Sequence, residues 1–246
     1  MHTIVVIPTY NERENIPLVT RGVLAHDGVG VLVVDDASPD GTGDVAAELA
    51  THFRGRVDVL HRGGPRGLGR AYADGLSLAM ERGAGFICQM DADLSHDPAH
   101  LAAMLGMMDQ ADLVIGSRYV PGGRIVNWRW HRLLLSAAAN RYVRAVTRLP
   151  VRDCTSGFRC WRRAALEAVR PWLMVSEGYA YLVETLCEAV RLGARVAETP
   201  ITFVERREGR SKLSARVLVE SAAMPWRMRS RNGRVKPFGR TGGLRV

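Results

Sequence analysis

Through the first half of the chain, short apolar runs alternate with longer segments in which apolar residues recur every three or four positions. The runs at 4–7, 31–34, 57–60, 86–90 and 113–116 predict strands, and the helical pattern falls near 15–25, 44–53, 70–82 and 99–108. Continuous Val/Ile runs separated by single helices predict an α/β fold: a mostly parallel sheet with helices on both faces. Ligands of such a sheet bind outside the carboxyl ends of its strands, so chemistry is expected in the residues just past each run. Further along, 120–123 reads as a mobile loop and 128–149 as an amphipathic helix. Leu134, Ala138, Tyr142, Ala145 and Leu149 share one stripe of that helix, flanked by Arg141, Arg144 and Arg148.

The fourth run ends in Asp91-Ala92-Asp93. Side chains at i and i+2 of an extended segment point the same way, and two carboxylates held that close repel unless a cation lies between them. Oxygen ligands with no nearby Cys or His favour Mg²⁺ or Mn²⁺ over zinc. The second run also ends in acids, Asp35-Asp36, followed by Ser38-Pro39-Asp40-Gly41-Thr42, which predicts a turn and a helix cap. Both pairs at one sheet mouth would set four carboxylates around a cleft, able to bind ribose hydroxyls, a base edge and a cation for a diphosphate. An Asp-x-Asp also serves as an ordinary loop cap, or as a phosphatase nucleophile. The phosphatase option lacks its downstream paired acids, since Asp97, Asp109, Asp112 and Asp153 are isolated. A dinucleotide fold is disfavoured because Pro8-Thr9-Tyr10-Asn11-Glu12 stands where Gly-x-Gly-x-x-Gly is required. The stretch from Gly63 to Gly69 lacks a P-loop ending and reads mainly as a flexible turn into the next helix, with substrate contact as the alternative.

Composition sharpens this picture through charge. The 246 residues suffice for one α/β domain with an appendage, and the net charge is +9. Residues 113–152 hold eight arginines and no acid, and residues 205–246 hold twelve Lys or Arg against three Glu, leaving the remainder near −8. Such segregation predicts an anionic partner. Cys88, Cys154, Cys160 and Cys187 form no Cys-x-x-Cys pair and are expected to be reduced and structural. No signal peptide and no run of some 18 apolar residues is evident, so the chain is expected at the cytoplasmic face without spanning the membrane.

Six motifs in order carry a resemblance: Pro8-Thr9-Tyr10-Asn11-Glu12; Asp35-Asp36-x-Ser38-x-Asp40-Gly41-Thr42; Asp91-Ala92-Asp93-x-x-His96; Gly116-Ser117-Arg118-Tyr119; Thr155-Ser156-Gly157-Phe158-Arg159; and Ser211-Lys212-Leu213. Together they resemble the family-2 glycosyltransferases, and within them the dolichyl or polyprenyl phosphate mannosyltransferases. The resemblance implies a GT-A fold over 1–212, with a basic acceptor loop and interfacial helix at 113–152, followed by a C-terminal helix and basic tail at 213–246. It implies GDP-mannose as donor, polyprenyl phosphate as acceptor and Mg²⁺ or Mn²⁺ as cofactor. Pro8, Tyr10, Glu12, Val34 and Asp36 would hold guanine and ribose. Asp91, Ala92 and Asp93 would meet the sugar diphosphate, and Asp91, Asp93 and Ser95 the metal, with Ser95 in place of the family's usual Gln. Arg206 and Lys212 match the family's late phosphate-binding pair. Arg118, Arg132 and Ser136 would bind the acceptor phosphate, with Arg118 also counted among the catalytic residues beside Asp91 and Asp93.

The expected reaction is direct displacement of the diphosphate by an acceptor phosphate that is already anionic, giving a β-linked product from an α-linked donor. Glucose or N-acetylhexosamine transfer, or a non-lipid acceptor, is the alternative on the same fold. A nucleic-acid binder is disfavoured because no aromatic-and-basic RNA motif appears. The basic tail and the 128–149 helix predict peripheral contact with an anionic membrane surface, with anchoring possible through a separate membrane partner.

Overall fold

The computed structural model describes residues 2–174, 176–205 and 224–229. The five predicted strands form as β1 (Thr3–Thr9), β2 (Val29–Asp35), β3 (Val57–His61), β4 (Phe86–Gln89) and β5 (Leu113–Ser117). The helices between them are α1 (Ile16–Leu24), α2 (Thr42–His52), α3 (Leu68–Glu81) and α4 (Leu101–Gly106), the last entered through a short 3-10 turn at Pro98–His100. The second half adds β6 (Arg124–Val126), α5 (Trp130–Thr147), β7 (Arg159–Arg162), α6 (Arg163–Val169), α7 (Gly178–Arg191), β8 (Val196–Pro200) and β9 (Thr202–Val204).

The main sheet runs β3-β2-β1-β4-β7-β5-β8, and β6 pairs with β9 in a small second sheet. β1 lies parallel to both β2 and β4, whereas β7 is antiparallel to its neighbours β4 and β5. Strand order therefore moves outward from β1 to β3 and then reverses to β4, which opens a crevice beyond the carboxyl ends of β1 and β4. β1 and β2 are apolar on both faces because both faces are covered. Val5 and Ile7 pack with α1, α2 and α4, while Ile4 and Val6 pack with α3, α6 and α7. Each fully buried aliphatic side chain in these layers stabilises by about 1.5–3 kcal/mol. Gly75 lets α3 seat directly on the sheet, since a Cβ there would come within 2.5 Å of Val6 and 2.7 Å of Val34.

Two expectations change. β4 ends at Gln89, so Asp91 to Ser95 lie in a bend with Leu94 at φ +60°, and strand alternation does not govern how Asp91 and Asp93 point. The expected loop at 120–123 is a tight turn leading into β6. Gly123 is packed so closely that a Cβ would sit 2.7 Å from the Ser117 carbonyl oxygen and 2.8 Å from that of Arg118. The cysteines are free thiols, as expected. The proposed boundary at 212/213 lies outside the described residues, as do Arg206, Lys212 and nearly all of the tail.

Candidate active site

Three loops leave the carboxyl ends of β1, β2 and β4, and each contains a non-glycine residue in the left-handed region: Asn11 (φ 61°), Ala37 (φ 54°) and Leu94 (φ 60°). Such conformations persist where surrounding structure over-determines them, and they gather at ligand sites. Around the first two loops the supporting bonds are explicit. Ser38 donates through Oγ to Asp35 Oδ1 at 2.6 Å and through its backbone N–H to Oδ2 at 3.2 Å. Thr9 Oγ1 donates to Asp35 Oδ1 at 3.1 Å, so Asp35 is spent on its own loop. Asp40 accepts from Thr42 N–H at 3.0 Å and Thr42 Oγ1 at 2.6 Å at the start of α2; burial opposes its charge, yet these bonds hold its carboxyl below the usual range. The predicted Pro-Asp-Gly turn is present, with Gly41, left-handed at φ 85°, at the cap position of α2, where no side chain supplies a cap bond.

Asp36 points elsewhere. It forms an ion pair with Arg62 and accepts from the Gly67 backbone N–H at 2.8 Å, while Arg66 Nη1 donates to the Tyr10 hydroxyl at 2.5 Å and lies over its ring. The glycine-rich stretch and the preceding Arg62 thus fold as a strap against residues at the ends of β1 and β2. Sequence reading passes over Arg62 and Arg66 because glycines suggest mainly a turn. Glu12 accepts from Asn15 Nδ2 at 2.8 Å, and its backbone N–H donates to Thr42 Oγ1 at 2.9 Å.

At the end of β4, Asp91 is partly exposed and accepts from the buried Tyr72 hydroxyl at 3.1 Å, while its own N–H donates to His96 Nδ1 at 3.2 Å. Asp93 Oδ1 accepts from Ser95 N–H at 3.1 Å. The His96 ring is fully buried, stacked on Phe158 at 5.1 Å and edge-on to Phe203 at 5.3 Å; burial pulls its pKa below the ordinary value and keeps it neutral. Asp91, Asp93, Arg118 and Asp153 all lie within electrostatic reach of that ring.

Among the described residues no three His, Cys, Asp or Glu gather as a metal cage: Asp35 bonds Thr9 and Ser38, and Asp36 bonds Arg62 and the Gly67 N–H. Asp91 and Asp93 still offer an all-oxygen pair, and the Ser95 hydroxyl beside them is buried with no protein partner. That donor set fits a hard divalent ion that completes its shell with diphosphate oxygens and water.

The three acceptor residues come together. Arg118 and Arg132 both lie over the Trp128 ring, at 5.9 and 4.1 Å, and the Tyr119 hydroxyl donates to Ser136 Oγ at 2.7 Å. Each arginine is already balanced. Arg118 holds Asp153 through Nε at 2.8 Å and Nη2 at 2.7 Å and donates to Thr155 Oγ1 at 2.8 Å; Arg132 Nη1 pairs with Glu205 at 2.7 Å. Arg118 Nη1 is the nitrogen that Asp153 and Thr155 leave unengaged. Sequence reading misses Trp128 as the platform, although a tryptophan between two arginines is its signal. It sees Arg159 only as part of a motif. Arg159 is a fully buried cation bonded to the carbonyls of Ser156, Leu182 and Cys154, and burial pushes its pKa down to about 10.

On α5 the predicted stripe is exposed except at Leu149, and the helix instead packs through Asn140, Val143 and Val146. Trp130, Leu134 and Leu135 are 72%, 62% and 62% exposed, alongside exposed Arg129, Arg141 and Arg144. Among the described residues no helix is long and apolar enough to cross a membrane.

Residues 4–170 match the family model described as Glycosyl transferase family 2. The chain is 45% identical over 238 residues to polyprenol monophosphomannose synthase of Mycolicibacterium smegmatis, covering 95% of this chain and 90% of that protein. It is 46% identical over 224 residues to undecaprenyl-phosphate mannosyltransferase of Micrococcus luteus, covering 90% and 91%. Among solved structures it superposes on glucosyl-3-phosphoglycerate synthase from Mycobacterium tuberculosis. In complex with UDP the TM-score is 0.68 at 19% identity, over 93% of this chain and 80% of the other. In complex with Mn²⁺, UDP-glucose and phosphoglyceric acid it is 0.68 at 18%, over the same shares. These structures share the fold.

Proposed function

The chain belongs to glycosyl transferase family 2 and has the GT-A fold, and from that premise we propose that it transfers mannose from GDP-mannose to polyprenyl phosphate with inversion at the anomeric carbon. The names of the two relatives, which it matches over about nine-tenths of their lengths, support the acceptor class and the sugar. The observation that supports the reading is a run of contacts: the Asp91 N–H donates to His96 Nδ1 at 3.2 Å, the His96 ring meets the Phe203 ring at 5.3 Å, and the Arg118 guanidinium lies 5.4 Å from the Phe203 centroid. Two rings thus link a donor-side acid to an acceptor-side arginine.

Pro8, Tyr10, Glu12, Val34 and Asp36 would receive guanine and ribose, under the strap that carries Arg62 and Arg66. Asp91, Ala92 and Asp93 would face the diphosphate. Asp91, Asp93 and Ser95 would hold Mg²⁺ or Mn²⁺, which supplies charge neutralisation for the leaving diphosphate; the Mn²⁺ complex of glucosyl-3-phosphoglycerate synthase, which has the same fold, agrees with that choice. Arg118 Nη1, Arg132 and Ser136 would orient the acceptor phosphate in line with the anomeric carbon. That phosphate is anionic at neutral pH, so no strong general base is required. Arg206 and Lys212 would add cations beside the phosphates. The exposed Trp130, Leu134 and Leu135 with flanking arginines would rest α5 on an anionic membrane surface at the cytoplasmic face, presenting the site to a lipid acceptor. The reading requires no nucleic acid; a separate anchor protein is compatible with it.

The test is incorporation of labelled mannose from GDP-mannose into polyprenyl phosphate in detergent, with and without EDTA, in wild type and Asp93→Ala. Metal-dependent β-linked product from wild type, lowered about 100-fold or more by the variant, is expected. Transfer from UDP-glucose instead, or an α-linked product, would overturn it.

A further inference from the structure

We infer that Tyr72 is a positioning residue for the diphosphate end of the site: its hydroxyl holds the Asp91 carboxylate in the orientation in which it binds metal. The inference rests on the proposed metal site. Asp91 stands on a bend rather than on the strand, so the sheet ladder does not fix its side chain. Contacts from different elements reach it instead. The His96 ring, held between Phe158 and Phe203, accepts from the Asp91 backbone N–H, and the Tyr72 hydroxyl donates to Oδ1.

Tyr72 is suited to this by its surroundings. Its side chain is fully buried, and its ring lies parallel to that of Tyr181 with centroids 6.4 Å apart. The start of α3 is pinned to α7 by Gly69, where a Cβ would meet the Ser176 carbonyl oxygen at 3.0 Å and Tyr181 at 3.1 Å. The backbone N–H of Gly67, the residue before α3, donates to Asp36. One rigid helix therefore ties the ribose end of the cleft to the metal end. Groups that orient metal-binding carboxylates typically matter by 10- to 100-fold in affinity or rate.

The test is Tyr72→Phe, which keeps the ring and its stacking. Mn²⁺ binding is read by electron paramagnetic resonance with and without GDP, alongside steady-state mannose transfer. The expected result is Mn²⁺ affinity weakened about 10-fold or more and kcat lowered to match, with KM for GDP-mannose changed less than about threefold. Tyr181→Phe is the packing control, since its hydroxyl contacts neither Asp91 nor Asp93, and it should leave Mn²⁺ binding unchanged. Wild-type Mn²⁺ affinity in Tyr72→Phe, or an equal loss in Tyr181→Phe, overturns the inference. Asp93→Ala separates the two levels: if it too binds Mn²⁺ like wild type, the metal site itself is wrong, whereas if it alone loses Mn²⁺, only the role of Tyr72 fails.

Discussion

The Arg118 guanidinium meets the Asp153 carboxylate through two parallel hydrogen bonds of 2.8 and 2.7 Å, and both side chains are almost wholly removed from solvent. The Arg118 backbone N–H adds a third bond to Asp153 at 3.0 Å. Removing one partner of such a pair strands a buried charge, which costs about 3–5 kcal/mol. Asp153→Ala should lose stability on that scale in urea unfolding. A loss below about 1 kcal/mol would show that solvent reaches the pair.

The buried titrating groups set the acid limb of stability. His96 has a folded pKa below its ordinary 6.5, so its contribution is present above pH 6.5 and is lost as pH falls through the lower folded value. Asp153 and Asp112 are depressed from 3.8 by their arginine partners, so their contributions are present above that value and fade below it. Arg118, raised above the ordinary guanidinium value by Asp153, stays charged across this whole range. Unfolding free energy measured against pH should therefore be flat between about pH 7 and 8 and fall in two stages on the acid side. His96→Asn should flatten the first, and an unchanged slope just below pH 6.5 in that variant would remove His96 as the source.

The adjacent acids Asp35 and Asp36 should separate cleanly. Asp35 closes its own loop through Ser38 and Thr9, so Asp35→Asn should cost about 1–3 kcal/mol of stability. Asp36 faces the strap through Arg62 and Gly67. Because Arg62 keeps its second partner, Asp74, at 2.7 Å, Asp36→Asn should leave the thermal midpoint within a few degrees of wild type and weaken GDP binding about 10-fold or more by calorimetry. Reversed phenotypes would mean that Asp35 is the nucleotide ligand.

This pair also shows where the sequence is legible. Val/Ile runs announce β1 to β5 because a strand covered on both faces has to be apolar throughout. β7 cannot be read that way: Arg159-Cys160-Trp161-Arg162 carries a buried arginine satisfied by the preceding loop's Cys154 and Ser156 carbonyls and by Leu182 of α7, and Trp161 bonds Gln89 across the sheet. Site motifs are visible as acids at strand ends. Their division of labour is not, because whether a carboxylate faces its own loop or the cleft depends on backbone turns at Ala37 and Leu94 that no local pattern encodes. Arg62, Arg66, Tyr72 and Trp128 acquire their roles only through contacts with residues far away in sequence.

On α5, exposed Leu134 and Leu135 stand among arginines with no covering element among the described residues. Leu134→Glu with Leu135→Glu should leave the urea midpoint unchanged within about 0.5 kcal/mol, since neither side chain is packed. It should also lower co-sedimentation with phosphatidylglycerol vesicles, and added salt should lower wild-type binding. Undiminished vesicle binding by the double variant would exclude this face as the contact.

Arg132 and Glu205 form a second ion pair, at 2.7 Å, that differs from the Arg118 pair in one decisive respect: its side chains are 32% and 36% exposed. A pair that wet contributes only about 0–1 kcal/mol, so it adds little to the fold and an incoming phosphate dianion can displace the carboxylate. Arg132→Ala should therefore leave stability nearly unchanged while raising KM for polyprenyl phosphate about 10-fold or more, the loss expected for one charge-assisted contact, with KM for GDP-mannose unaffected. Glu205→Gln removes the competitor and should lower the acceptor KM by roughly two- to fivefold, the equivalent of a solvent-exposed pair. Steady-state kinetics in each substrate separates the cases. A parallel rise in both KM values for Arg132→Ala would place that arginine outside the acceptor site, and a raised acceptor KM for Glu205→Gln would make Glu205 a support for Arg132 instead of its stand-in ligand.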